Sequence, residues 1–153
     1  VYVASCAMGA DHIQSIKCIK EAEEFPGPSL IIGYAPCTGH NIAGGMAEHP
    51  IQQKLAVTTG YWPLYHYDPR RTAQGKNPFV LDAKKQKGDL MKFLSKENRY
   101  AQLTRENPEA AKELHESMVA YREMKLNRFR RVALSDDALL KELKKKKNKN
   151  KKN

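Results

Sequence analysis

Cysteine is scarce in this sequence, with Cys6, Cys18 and Cys37 the three thiols among 153 residues. Their number is odd and none sits in a C-x-x-C pair, which argues against a disulfide framework and for a reducing compartment. A self-contained zinc or iron–sulfur site is not expected either, since each needs more ligands than three scattered cysteines supply at workable spacing. Long apolar runs are also missing. The longest falls far short of the roughly 20 residues that span a bilayer, and no signal peptide opens the chain, so a soluble protein without a membrane partner is expected. Phosphate-cradling loops are absent: Gly44-Gly45 has no Lys-Ser/Thr behind it, and no G-x-G-x-x-G occurs. With no initiator Met ahead of Val1, the chain reads as the processed or fragmentary end of something longer.

Positive charge is plentiful but unevenly placed. Of a net charge of +10, residues 141–153 hold eight lysines against Glu142, which leaves 19 basic and 16 acidic residues over 1–140. The body is therefore nearly balanced. Past Leu143 the tail has no apolar residue to bury against its ordering entropy, and it is expected to be a disordered, solvated terminus. The alternative use of such a tail is an arm for phosphates or an acidic partner, binding in a salt-dependent and sequence-blind way.

Residues 1–5 are apolar and partly β-branched and read as a strand. Asp11 then offers an N-cap with Gln14 three residues on, and Ile13, Ile16 and Ile19 recur at near-helical spacing, which predicts a helix through Glu24. Pro26-Gly27-Pro28 stops it, because proline lacks the backbone donor. Leu30, Ile31 and Ile32 are apolar at successive positions, the pattern of a parallel strand buried on both faces. Strand, helix and strand make one βαβ unit, right-handed by the general rule. One helix does not cover both faces of two strands, so further strands must come from elsewhere.

Downstream, "GYWPLYHYDPR" alternates Tyr61, Pro63, Tyr65 and Tyr67 against Trp62, Leu64 and His66, which predicts a third strand with Pro63 at an edge. Residues 51–57 suit a short helix and "NPFVLDA" a brief pairing strand, while Gly88-Asp89-Leu90 falls in a polar loop. Asn107-Pro108-Glu109 is a helix start. Ala111, Leu114, Met118 and Tyr121 form its apolar stripe, continued by Met124, Phe129 and Val132, for packing along the outside of a larger body. Ser135-Asp136-Asp137 can cap a last short helix. Basic residues are not interleaved with the aromatic block, so base stacking on nucleic acid is not expected.

The stretch that carries chemistry is "SLIIGYAPCTGH", residues 29–40. In open parallel sheets ligands bind beyond the carboxyl ends of strands, and Cys37 falls there. Its alternatives are a small buried hydrophobe, half of a zinc site with His40, or a thiol beside an imidazole base.

"VASCAMGADH", "GPSLIIGYAPCTGH", "LAVTTGYWPLYHYDPR", "GKNPFVLD" and "ENRYAQL", in this order, resemble the C-terminal end of pyruvate:ferredoxin (or flavodoxin) oxidoreductase. The resemblance is dense over 1–104; after Asn107 it is one of helix type more than of words. It implies an α/β fold in which 1–104 is a partial parallel sheet ending a thiamine-diphosphate-binding domain, 105–140 a C-terminal helical extension, and 141–153 the lysine-rich tail. The family oxidatively decarboxylates pyruvate with thiamine diphosphate and magnesium, forms acetyl-CoA from coenzyme A, and passes electrons through [4Fe-4S] clusters to ferredoxin or flavodoxin. In it, the cysteine of the "YAPC" block is the distant fourth ligand of the cluster nearest the thiamine, the other three lying in a preceding ferredoxin-like domain. By resemblance that ligand is Cys37, with Cys6 and Cys18 in the core and His40 either a donor to a cluster sulfur or an ordinary loop histidine.

The thiamine and magnesium motif, Gly-Asp-Gly followed by an Asn-bearing loop, is not among these residues, and Gly88-Asp89-Leu90 does not replace it. The resemblance therefore implies that this chain alone is inactive and that its partners are the missing N-terminal domains of the same enzyme, a second copy in a homodimer, and ferredoxin or flavodoxin. A cytoplasmic setting is expected, or a hydrogenosome-like organelle in a eukaryote. The rival from another class is a basic binding or scaffold protein acting through its tail.

Overall fold

A computed structural model describes residues 1–83 and 86–134. The lysine-rich tail and the Ser135-Asp136-Asp137 cap lie outside the described residues. Four strands form one mixed sheet: β1 (Tyr2–Cys6), β2 (Ser29–Gly33), β3 (Tyr65–Tyr67) and β4 (Phe79–Leu81), in the order β2-β1-β3-β4. β1 and β2 are parallel, joined by helix α1 (His12–Glu23), as the βαβ reading requires. β3 pairs antiparallel with both β1 and β4, so the parallel pair is one half of the sheet and not the whole of it.

The alternation of β1 places Tyr2, Ala4 and Cys6 on the face covered by α1, where they form a core with Cys18. Asp11 caps α1 as its sequence position demands, its Oδ1 accepting the Gln14 N–H at 2.9 Å. Gln14 does not fold back to the cap; its amide donates into the sheet, to Ser5 O and Asp82 Oδ2. The residues of α1 that face the sheet are Gln14, Ser15 and Cys18, while Ile13, Ile16 and Ile19 turn outward and stand exposed. Helical spacing of the isoleucines was sound, but the face they mark is not the one that packs here.

β2 departs further from expectation. Instead of being buried on both faces it is exposed along its whole length, with Leu30, Ile31 and Ile32 at 52, 39 and 37%. The reason is topological: β2 is the sheet edge, hydrogen-bonded to β1 alone. Three consecutive large aliphatic residues on an open strand edge form a surface that ordinary soluble domains blunt or cover.

The aromatic block also sits differently. β3 is an inner strand, and Pro63 precedes it in a buried position where its carbonyl accepts Ser5 Oγ–H at 2.9 Å. "NPFVLDA" does pair, as β4. The short helix expected over 51–57 is α2 (His49–Thr58), and two helices follow β4 where the sequence reading assigns no element: α3 (Leu90–Lys96) and α4 (Asn98–Glu106). Gly88-Asp89-Leu90 is the start of α3, Asp89 capping it by accepting the Met91 N–H. Leu90, Phe93 and Leu94, at i, i+3 and i+4, join Ala56 in a second core.

Helix α5 (Pro108–Val132) starts at its Asn107 cap as expected. Its buried seam runs through Ala111, His115 and Leu126, with Met118, Val119 and Phe129 partly covered, whereas Leu114, Tyr121, Met124 and Val132 face outward. Gly60 permits the close approach of this helix: its φ is +75°, and an added Cβ would stand 2.6 Å from Leu126 Cδ1.

Candidate functional site

The chain leaves β2 still paired, Tyr34 N donating to Cys6 O at 3.0 Å. Pro36 is buried, Cys37 is partly exposed, and 38–40 are exposed. The turn folds His40 back onto Cys37. Cys37 Sγ lies 3.2 Å from His40 Nδ1 and accepts the His40 backbone N–H at 3.5 Å. That N–H, then the ring, with help from the Gly39 N–H, hold the Cys37 thiol down at about 7. A large share is therefore thiolate at neutral pH, the form that binds metals and attacks electrophiles. Of the alternatives left open by the sequence, the buried hydrophobe is excluded by exposure, while the thiol–imidazole pair is present.

Two sets of contacts hold this turn in place. Tyr34 packs against Tyr61, Trp62 and Phe93 with ring centroids 6.1, 5.4 and 6.5 Å away. Its hydroxyl, kept protonated by burial and the neighbouring Glu97, donates to Glu97 Oε1 at 3.1 Å. Gln52 Nε2 donates to the same oxygen at 2.9 Å and to Phe93 O at 3.1 Å. Further along, Ile42 pairs with Glu97 as an isolated bridge, Ala43 N donates to Lys96 O at 2.9 Å, and Asn98 Nδ2 donates to His40 O at 3.0 Å. The α3–α4 junction is thus the anchor of the Cys37 loop. Trp62 Nε1 donates to Cys6 O at 3.1 Å, so the aromatic block serves as scaffold behind the strand ends. Glu97, Gln52 and Asn98 were not found by sequence reading. The signal for Glu97 and Asn98 is their place at the head of "ENRYAQL"; nothing in the local sequence singles out Gln52.

Among the described residues Cys37 has no ligand set of its own. Among the described residues, the group of three or more His, Cys, Asp and Glu side chains close enough to share a metal ion is Cys18, Glu21 and His66, which does not include it. Cys6 and Cys18 are buried in the first core, as expected of them.

No family model matches the chain. It is 46% identical over 86% of its length to the mitochondrial pyruvate dehydrogenase [NADP(+)] of Euglena gracilis. It is 45% identical over 87% to the pyruvate:ferredoxin oxidoreductase of Moorella thermoacetica, and 42% identical over 87% to the pyruvate-flavodoxin oxidoreductase of Klebsiella pneumoniae. The chain matches a fragment of pyruvate:ferredoxin/flavodoxin oxidoreductase. It spans 7% of the length of the first relative and 11% of the other two. The uncovered edge of β2 and the outward isoleucines of α1 accord with a segment taken from a longer oxidoreductase chain. Among the described residues no helix is long and apolar enough to cross a membrane.

Proposed function

We propose that this chain is one part of an enzyme that oxidatively decarboxylates pyruvate to acetyl-CoA and carbon dioxide and passes the electrons through iron–sulfur clusters to ferredoxin or flavodoxin. The observation that carries the reading is the placement of Cys37: partly exposed, past the carboxyl end of a parallel strand, on an anchored turn, and without companion ligands among the described residues. A single thiolate presented this way suits a [4Fe-4S] cluster whose other ligands lie in another segment, since such clusters take four cysteines. When bound, that cluster supplies one-electron transfer. Cys37 holds it, and the His40 side chain and the backbone N–H groups of the turn, already directed at Sγ, tune its potential through hydrogen bonds.

Thiamine diphosphate and magnesium do not fit the residues present. The Asp89 carboxylate is committed to capping α3, and no second glycine follows it, so these cofactors and the binding of pyruvate and coenzyme A belong to the N-terminal domains. In this reading 1–104 ends the thiamine-binding domain, 105–140 is a helical extension, and 141–153 is a tail outside the reaction. The exposed isoleucines of β2 and α1 meet the remainder of the same enzyme, which acts as a homodimer in the cytoplasm or in a hydrogenosome-like organelle. The isolated chain is inactive.

The test is Cys37→Ala in the full-length protein, assayed for pyruvate-dependent reduction of a viologen dye. Turnover falls at least about tenfold while the protein stays folded, because the electron path is broken at its first cluster. Wild-type turnover in that variant would remove Cys37 from the path.

A further inference from the structure

Counting cysteines argues against a metal site within this chain, but the fold brings three side chains of mixed ligand type together. Cys18 and Glu21 lie one turn apart on α1, and the register of β3 on β1, with His66 opposite Ala4, carries His66 beneath them. One ligand atom from each of the three lies within 4.8 Å of the others. Cys18 is fully buried, His66 is 2% exposed, and Glu21 is partly exposed, which gives an ion a way in.

We propose that Cys18, Glu21 and His66 bind a zinc ion that clamps α1 to the sheet.

Each of the three ligands has a partner that orients it. His66 Nδ1 lies 3.0 Å from Asp82 Oδ2, which places the proton on Nδ1 and leaves Nε2 to ligate, the carboxylate–histidine–metal arrangement of many zinc sites. Gln14 Nε2 donates to Asp82 Oδ2 at 2.9 Å and to Cys18 Sγ at 3.3 Å. Tyr2 donates its hydroxyl to Glu21 Oε2 at 2.9 Å. Simple packing does not call for such a set. Two carboxylates, an imidazole and a thiol stand beside an apolar cluster, and Lys17, 3.7 Å from Glu21, is the cation paired with Glu21. Burying polar groups is costly unless they are hydrogen-bonded, and here each has a partner that holds it in place beside the other two.

The donor chemistry selects the ion. One thiolate, one imidazole and one carboxylate suit a tetrahedral borderline cation such as zinc, with water in the fourth position. Calcium and magnesium take oxygen ligands in larger numbers. Binding releases the Cys18 thiol proton to solvent.

The experiment uses the full-length protein expressed with added zinc. Elemental analysis is expected to find about one zinc per chain, and the zinc K-edge spectrum one sulfur at about 2.3 Å with nitrogen and oxygen at about 2.0–2.1 Å. Glu21→Gln, at the surface end of the site and benign to the fold, weakens zinc retention against a chelator by about tenfold or more. Asp82→Asn, which acts through His66, weakens it by about 10–100-fold. Cys37→Ala leaves zinc unchanged, so failure here and failure of the cluster-ligand reading are separate results. Zinc below about a tenth of an equivalent, or zinc retention indifferent to both Glu21→Gln and His66→Gln, would overturn the assignment.

Discussion

Glu97 ties the loop that carries Cys37 to the helical layer, and truncating it tests that construction. The residue is 2% exposed, and its Oε1 accepts both Gln52 Nε2–H and the Tyr34 hydroxyl. In Glu97→Ala the Gln52 amide keeps its second acceptor, Phe93 O. Tyr34 keeps none, and a hydroxyl stranded among Tyr61, Trp62 and Phe93 costs about 1–3 kcal/mol. The vacated volume adds about 1 kcal/mol, for a total loss of about 2–4 kcal/mol. Glu97→Gln retains an oxygen acceptor and is expected to lose less than half as much. The sequence contains a single tryptophan, Trp62, whose ring lies 5.4 Å from that of Tyr34. Urea unfolding followed by tryptophan fluorescence therefore reports from the site itself. A loss under about 0.5 kcal/mol in Glu97→Ala, the size of an ordinary surface change, would refute the claim that this carboxylate anchors the loop.

Three further outcomes are expected. In cluster-free protein, iodoacetamide labelling of Cys37 rises with an inflection at about 7, since the thiolate reacts and forms as pH climbs through that value; His40→Ala moves the inflection up toward the usual thiol range near 8.5. Buried Cys6 and Cys18 do not contribute to the fast phase, and an unmoved inflection in His40→Ala would count against the ring contact. Gly60→Ala forces a side chain onto a φ of +75° and against Leu126, lowering stability by about 1–3 kcal/mol in a thermal melt; an unchanged midpoint would mean that α5 packs elsewhere. Ile31→Lys, at an exposed edge, changes the stability of this chain by less than about 0.5 kcal/mol but reduces recovery of assembled full-length protein, and normal assembly would show that β2 is not covered by the rest of the enzyme.

The legibility of this molecule tracks how local each feature is. The caps at Asp11 and Asn107 were readable because a single side chain satisfies a nearby N–H, and β1, α1 and β2 followed from short-range patterns. The direction of α1 was not. Its isoleucines mark an apolar face, yet the sheet of this chain takes the face with Gln14, Ser15 and Cys18, and nothing in the spacing says which partner arrives. Helix α3 escapes because Gly88-Asp89-Leu90 reads as polar loop, although Asp89 is an N-cap and Leu90, Phe93 and Leu94 share one face. The seam of α5 slipped from Leu114 and Tyr121 to His115 and Leu126 because a long helix with apolar residues on several faces does not announce which of them will be covered. At the site, Cys37 and its place beyond β2 were legible from the strand end. Its support through Glu97, more than fifty residues away in sequence, depends on tertiary closure, as does the meeting of His66 with Cys18.

The measurement that bears most directly on the central claim is the iron content of the full-length protein with Cys37 replaced by serine, with the electron paramagnetic resonance of each reduced cluster recorded. The account predicts a deficit of up to about four irons per chain and an altered or missing signal from one cluster, with the remaining cluster signals intact. Undiminished iron and an unaltered set of signals would contradict it.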